Sequence, residues 1–229
     1  EDRAVGRQMP RVDLATLRRA LDEITWPEST SRSQVAGAAP VKTFPLGLVK
    51  DRSRGLRCSR HLQEWPQLVQ LLTQGIRQQV GEDFKYTTIQ LNRGYAARLH
   101  TDVNNEGPSY VVALGEYTGG QLWLYDERGD VEVEVARPVR GARWLKPGQT
   151  ARGFLHDVKE QWFRFNGRLP HMVWPFEGLR MSIVCFSVRG CRRVPEAHGR
   201  QLRAAGFPLP MGSAEMRARA KKLLNGQMR

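Results

Sequence analysis

Cysteine is scarce in this chain of 229 residues: Cys58, Cys185 and Cys191 are odd in number and form no C-x-x-C pair. A disulfide framework is therefore excluded, and a reducing compartment is the expected setting. No apolar run approaches the length that crosses a bilayer, so no membrane association is expected. Glu1 opens directly into charged sequence without the character of a signal peptide, which fits an intracellular, nuclear protein, either a monomer or a piece of a larger one. No internal repeat is present.

Acidic residues are also short. Thirty-six Lys and Arg against twenty-three Asp and Glu leave a formal net charge of +13, carried mostly by arginine. An excess of this size makes a positive field that attracts polyanions and speeds their encounter. Nucleic acid, DNA in the first place, is the partner this points to; a merely soluble basic domain, or one that binds an acidic neighbour, is the plainer alternative. With 40% hydrophobic residues the chain can bury one sizeable core. One domain is expected, with residues 1–85 as a helical support, 86–190 as the core and 191–229 as a basic helical segment.

Leu14, Leu17, Leu21 and Ile24 recur at helical spacing and predict an amphipathic helix over 12–24, ending before Trp26-Pro27. Residues 28–40 read as a polar connector, and 42–60, where short apolar runs mix with Arg and Gly, read as a solvated surface loop, with a phosphate-holding loop at an active-site mouth as the alternative. His61 falls near a helix start. Over 65–80 Leu68, Leu71, Leu72 and Ile76 form one stripe, the mark of a helix that buttresses a sheet. Short β-prone runs then follow at 86–92, 110–114, 121–125, 131–135, 142–145, 150–155, 162–165, 171–174 and 179–188. Regular short strands with turn punctuation, Gly119-Gly120 among it, indicate an all-β sandwich or barrel. Residues 213–224 return to helical spacing behind a Ser213 cap, with a basic solvated face.

The chemistry concentrates around His100-Thr101-Asp102. On an extended backbone His100 and Asp102 project from one side and can grip a cation between imidazole and carboxylate. His171, at the start of a second β-prone run, is the best third ligand. Two histidines and one carboxylate on one face of a metal leave the opposite positions open, the arrangement of non-haem Fe(II) oxygenases. A four-residue hairpin loop at 175–178 would pair Trp174 with Leu179 and set His171 opposite Ser182, with Arg180 one pleat nearer the turn. A guanidinium there, with the Ser182 hydroxyl two residues on, is a receptor for a carboxylate, which 2-oxoglutarate would supply while its other end chelates the metal. Asn92 and Tyr95 are candidates to hydrogen-bond that cosubstrate, with a turn Asn and a packed Tyr as the structural alternative. His156-Asp157 is adjacent rather than alternate and reads as a loop, and His198 reads as solvent-facing.

H-x-D, a distant His and R-x-S on the following strand together resemble the motif set of the Fe(II)/2-oxoglutarate-dependent dioxygenases. That resemblance implies a mainly β protein with flanking helices around a double-stranded β-helix of jelly-roll or cupin type. It also implies Fe(II) and 2-oxoglutarate as cofactors and dioxygen as cosubstrate. Within the superfamily, His100-x-Asp102-Val103-x-Asn105 and Arg180-x-Ser182-Ile183-Val184-x-Phe186 resemble the TET/JBP group, which oxidises methyl groups of bases in nucleic acid. This implies that Asn105 contacts a 5-methylcytosine-like base and that Phe186 stacks on it. Val188 departs from the group's further base-contacting His, the loop between His171 and Arg180 is shorter, and no Cys-rich extension is present. Three other functions stay open: a prolyl or lysyl hydroxylase, a zinc hydrolase built on the same ligands, and a non-catalytic basic nucleic-acid-binding module.

Overall fold

The computed structural model describes residues 10–30, 40–51 and 53–212, and the statements below concern these. In chain order, α1 (Leu14–Glu23) and the short β1 (Glu28–Ser29) lead into the long β2 (Val41–Asp51) and β3 (Gly55–Cys58). The helices α2 (His61–Glu64) and α3 (Pro66–Val80) follow. Next come β4 (Thr88–Arg93), β5 (Asn105–Leu114), β6 (Tyr117–Gly119), β7 (Leu122–Tyr125) and β8 (Val131–Glu134). The chain continues through β9 (Thr150–His156), β10 (Phe163–Phe165), β11 (His171–Val173), β12 (Phe176–Gly178) and β13 (Met181–Val188) to α4 (Glu196–Ala204).

Strand pairing defines the architecture. The larger sheet runs β1-β2-β4-β13-β5-β10, with β3 also on β2; the smaller runs β11-β7-β9-β8, and β12 pairs with β6. From β4 onward the pairs nest: β4 with β13, the His100 segment with His171 of β11, β5 with β10, and β7 with β9, all antiparallel. A chain doubled back on itself in this way and wound between two facing sheets is a double-stranded β-helix. The fold is mainly β, with flanking helices.

Side-chain alternation assigns the two faces of the larger sheet opposite tasks. Phe44, Leu46, Ile89, Leu91, Ile183 and Cys185 point outward and are buried against Leu17 and Leu21 of α1 and Leu72 and Ile76 of α3. Asp13 starts α1 by accepting from the Thr16 amide at 2.8 Å, and Pro66 starts α3 where a missing N–H costs nothing. The opposite parity (Thr43, Gln90, Asn92, Ser182, Val184) is smaller and more polar, and faces the smaller sheet.

β2 lies in a stretch that reads in sequence as a solvated loop. Its alternation of Phe44, Leu46 and Leu48 is interrupted by two residues that argue against a strand, and the tertiary context accommodates both. The Thr43 N–H points outward to the Pro27 carbonyl, so Pro45, two residues on, presents its missing donor to the same side. There β1 has ended and β3 has not begun. Gly47 has φ +96°, and a Cβ on it would lie 2.3 Å from the Thr87 carbonyl oxygen, so only glycine fits.

The hairpin expected at 175–178 does not form. Trp174 N–H donates to Gln121 O at 2.8 Å and Leu179 N–H to Glu116 O at 2.8 Å, so the residues expected to pair with each other flank β6 instead. β11 stays in the smaller sheet and β13 in the larger, where Ser182 is opposite Asn92 and Ala113 rather than His171. Residues 142–145 are turns whose Ala142 and Leu145 are buried under Trp123 without joining a ladder. His156 ends a strand and stacks on Phe163 at 4.3 Å, rather than lying in a loop. His198 is half-buried in α4, not solvent-facing. The first 85 residues contribute three strands as well as helices, and the helix expected over 213–224 lies outside the described residues.

Leu91 sits fully buried where α1 and α3 cover the centre of the larger sheet. Leu91→Ala is expected to cost about 2–5 kcal/mol, read in urea melts as a lowered midpoint at unchanged slope.

Candidate metal centre

His100 and His171 are brought side by side by their backbones. Each donates its N–H to the other's carbonyl, at 3.0 and 2.9 Å, and this bridge attaches the His100 segment to the edge of the smaller sheet. Asp102 is held two residues on by its N–H bond to Gly167 O at 2.8 Å, so its side chain falls on the same face as that of His100. The three donors converge. His100 Nε2 lies 3.7 Å from Asp102 Oδ1, His171 Nε2 lies 3.8 Å from Asp102 Oδ2, and the two imidazole centroids are 4.3 Å apart. These separations are too long for hydrogen bonds and suit one ion about 2 Å from each donor.

The surroundings prepare the ligands for a cation. His100 Nδ1 lies 2.6 Å from Arg98 O and His171 Nδ1 lies 2.8 Å from Leu169 O. A carbonyl only accepts, so each Nδ1 carries the proton and each Nε2 the lone pair, the tautomer a metal ligand needs. Asn105, almost fully buried, donates from Nδ2 to Asp102 Oδ2 at 3.1 Å and to Ser109 Oγ at 3.4 Å. Its amide therefore orients a ligand carboxylate. Two imidazoles and a carboxylate form a mixed nitrogen and oxygen set that fits Fe(II) with positions to spare.

Arg180 is the second unusual feature. It is only 4% exposed, and among the described residues no carboxylate pairs with it. Burial pushes its pKa down, opposed in part by nearby Tyr117. Nε donates to Gly120 O at 3.1 Å, and the guanidinium lies over the rings of Tyr117 and Phe176 at 5.6 and 5.7 Å. Those rings soften the desolvation of the cation without neutralising it. A Cβ on Gly120 would come within 2.9 Å of Arg180 Cδ and Nε, so the Gly119-Gly120 turn is what lets the arginine in. The Tyr117 hydroxyl, buried nearby, makes no hydrogen bond of normal geometry. Neither Tyr117 nor Gly120 stands out in sequence, because the strand that places them reaches Arg180 only through the β6–β12 pairing.

Ser182 is on the same inner face. Asn92 Nδ2 donates to Ser182 Oγ at 3.1 Å, while Asn92 Oδ1 accepts from Tyr95 OH at 2.8 Å and Thr43 Oγ1 at 2.8 Å. Asn92 and Tyr95 thus line the site and also brace it. A cavity of about 80 Å³ joins the metal trio to Arg180, Ser182, Asn92 and Tyr95. It shares Gln90, His100, Asp102 and Phe186 with an open cleft of about 680 Å³ that also includes Asn105, Lys50, Arg137 and Arg140. Phe186 stands where the two meet.

No protein-family model matches the chain, and no curated protein does. Among solved structures the chain is similar to an oxidoreductase of the 2OG-Fe(II) oxygenase family from Burkholderia pseudomallei, at 16% identity over 76% of this chain and 79% of that one, TM-score 0.47. It is also similar to a prolyl-4-hydroxylase from Pseudomonas putida, at 17% identity over 76% of this chain and 83% of that one, TM-score 0.35. At these scores the likeness assigns neither family nor substrate. The double-stranded β-helix is established by this chain's own strand pairing, and the site by its own side chains. Among the described residues no helix is long and apolar enough to cross a membrane.

The arrangement predicts one divalent ion per chain, measured by equilibrium dialysis with Fe(II) or Mn(II) under anaerobic conditions. His100→Ala, Asp102→Ala and His171→Ala should each abolish that binding. Asn105→Ala should keep the stoichiometry and weaken affinity about 10–100-fold, the usual effect of removing a group that orients a ligand.

Proposed function

We propose that this protein is an Fe(II)- and 2-oxoglutarate-dependent dioxygenase whose substrate is a methylated base in nucleic acid. One observation carries the enzyme class: a two-histidine, one-carboxylate trio and a buried guanidinium that has no carboxylate partner among the described residues face the same small cavity. A zinc hydrolase would use the trio but leave Arg180 without a purpose. A diacid that reaches the metal at one end and Arg180 at the other satisfies both.

When bound, iron and 2-oxoglutarate supply the oxidising power, dioxygen being divided between succinate and a hydroxylated product with release of carbon dioxide. The chain's own residues do the positioning. Arg180 grips the distal carboxylate through Nη atoms left over after Nε is tied to Gly120, and Ser182 and the Tyr117 hydroxyl offer further donors. The Asn92–Tyr95–Thr43 set holds Ser182 in place. Val111, Leu122, Phe165 and Val184 line the cavity with apolar surface and limit water at the reacting centre.

The cationic cleft supports the nucleic-acid reading. Lys50, Arg137 and Arg140 line it together with His100 and Asp102, and the chain as a whole is strongly basic. A base within a duplex must leave the stack to reach the ion, and Phe186 at the inner end of the cleft offers it an aromatic face. Asn105 lies on the wall of the same cleft, with its amide nitrogen turned to Asp102. Gln90 Oε1 accepts no hydrogen bond among the described residues, its Nε2 being held by Thr43 Oγ1 and Leu91 O, and it supplies an acceptor for a base amino group.

Protein loaded anaerobically with Fe(II) and 2-oxoglutarate, then exposed to air with a methylated duplex, should yield succinate and oxidised methylcytosine by mass spectrometry. Arg180→Ala should raise the KM for 2-oxoglutarate about a hundredfold, as expected for loss of a bidentate charged contact. Succinate formed only with methylated RNA or with a peptide library would move the substrate to those classes, and no succinate with any of them would sink the enzyme class.

A further inference from the structure

The segment between β8 and β9 has no regular structure, yet it is firmly placed. Val135, Val139, Ala142 and Leu145 are buried with Trp123 and Ala151, so the segment straps across the outer face of the smaller sheet. Its middle turns back to the metal strand. Thr101, which lies between His100 and Asp102 in the chain and points to the opposite side, donates its hydroxyl to the Arg140 carbonyl. The strap therefore delivers three arginines to the rim of the site. Arg137 and Arg140 line the open cleft beside His100 and Asp102, and Arg140 and Arg143 line an adjoining groove of about 520 Å³ with Arg189, which follows β13.

Some surface arginines are paired, such as Arg18 with Glu116, Arg57 with Asp51 and Arg203 with Glu196, and others, Arg19 and Arg164 among them, have no ion pair among the described residues. What sets the cations of the rim apart is that they gather along two adjoining grooves at the mouth of the site. Among the described residues no ion pair involves Lys50, Arg137, Arg140, Arg143 or Arg189. Arg137 adds an independent sign of an absent acceptor: its Nη2 is closed off from solvent and has no hydrogen-bond partner among the described residues. A buried guanidinium N–H without an acceptor is costly unless a ligand supplies one. Planar forks set along two contiguous grooves match successive phosphates better than scattered carboxylates.

We infer that the strap is a phosphate clamp, in which Arg137 and Lys50 hold the backbone on one side of the target nucleotide and Arg140, Arg143 and Arg189 hold it on the other. The clamp gives the proposed oxygenase its nucleic-acid track, and so rests on that reading of the site. Binding does not depend on sequence, since the contacts are to the backbone. Thr101 couples the clamp to the metal strand.

The test compares two double variants with equal change of net charge, each Arg→Glu contributing −2, so that both reach −4. One is R140E/R143E on the strap; the other is R19E/R164E, on exposed positions of α1 and β10. Binding of labelled single-stranded and duplex oligonucleotides and of a polyglutamate peptide is followed by fluorescence anisotropy across a salt series, with circular dichroism to verify folding. The strap variant should lose about tenfold or more in oligonucleotide affinity and about two units of salt slope, roughly one per phosphate contact. The remote variant should stay within about twofold of the parent. Equal loss in both variants, or none in the strap variant, would overturn the clamp in favour of a diffuse field. Polyglutamate binding as tightly, with the same dependence on the strap, would overturn nucleic acid as its partner. Succinate release with the methylated duplex, methylated RNA and a peptide library is measured in parallel: if the parent forms none with any of them while the strap controls binding, the oxygenase reading fails and the clamp stands.

Discussion

Two backbone hydrogen bonds between His100 and His171 hold this site together. They join residues that are seventy-one positions apart and bring two imidazoles to a centroid distance of 4.3 Å. The bond from Asp102 N–H to Gly167 O, two residues on in one segment and four back in the other, turns the carboxylate into the gap. Neither pairing is a regular ladder; both are short contacts at the rim of the smaller sheet. Their geometry depends on the doubled-back winding of the whole β-helix, because β11 can meet the His100 segment only after the chain has crossed between the sheets several times. A site built this way is preorganised by the fold, so a metal or diacid entering it would find its ligands already aimed.

The second constraint is the buried guanidinium of Arg180. Removing a cation from water is expensive, and the chain offsets only part of that expense with one carbonyl and two aromatic faces. What remains is a buried cation about which glycine and tyrosine are arranged: Gly120 lacks the Cβ that would block the arginine, and Tyr117 brings a buried hydroxyl beside the guanidinium. The division of the larger sheet makes this polar pocket tolerable. One face carries the apolar burden against α1 and α3, so the other can hold Asn92, Ser182 and Gln90 in a braced hydrogen-bond set without weakening the core.

How much was legible in advance differs from element to element. The helices over 14–23 and 66–80 follow from a 3.6-residue apolar stripe with an Asp13 cap and a Pro66 start, all local signals. β2 was hidden because Pro45 and Gly47 are strand breakers unless one knows which side lacks a neighbour and whose carbonyl lies behind the glycine. The 175–178 hairpin failed for the opposite reason: turn residues between two β-prone runs are a strong local sign, and a non-local pairing with β6 prevailed. His171, Arg180 and Ser182 still share one cavity, but across the gap between facing sheets rather than across a hairpin. Asn105 entered through the resemblance alone, which implies a contact with a base; its bond to the Asp102 carboxylate had no signal in the sequence.

By itself, the order of residues determined which side chains are candidates for chemistry and which faces are apolar, because alternation and helical spacing depend only on nearest neighbours along the chain. It also determined the excess of positive charge, a simple sum. The tertiary structure decided which distant residues meet, since pairing between strands far apart in sequence is a competition among many segments that local preference cannot rank. Thus the alternating face of His100 and Asp102 was readable one dipeptide step at a time, while the approach of His171, the burial of Arg180 behind a glycine, and the arginine strap fastened to Thr101 arose only when two sheets closed on each other.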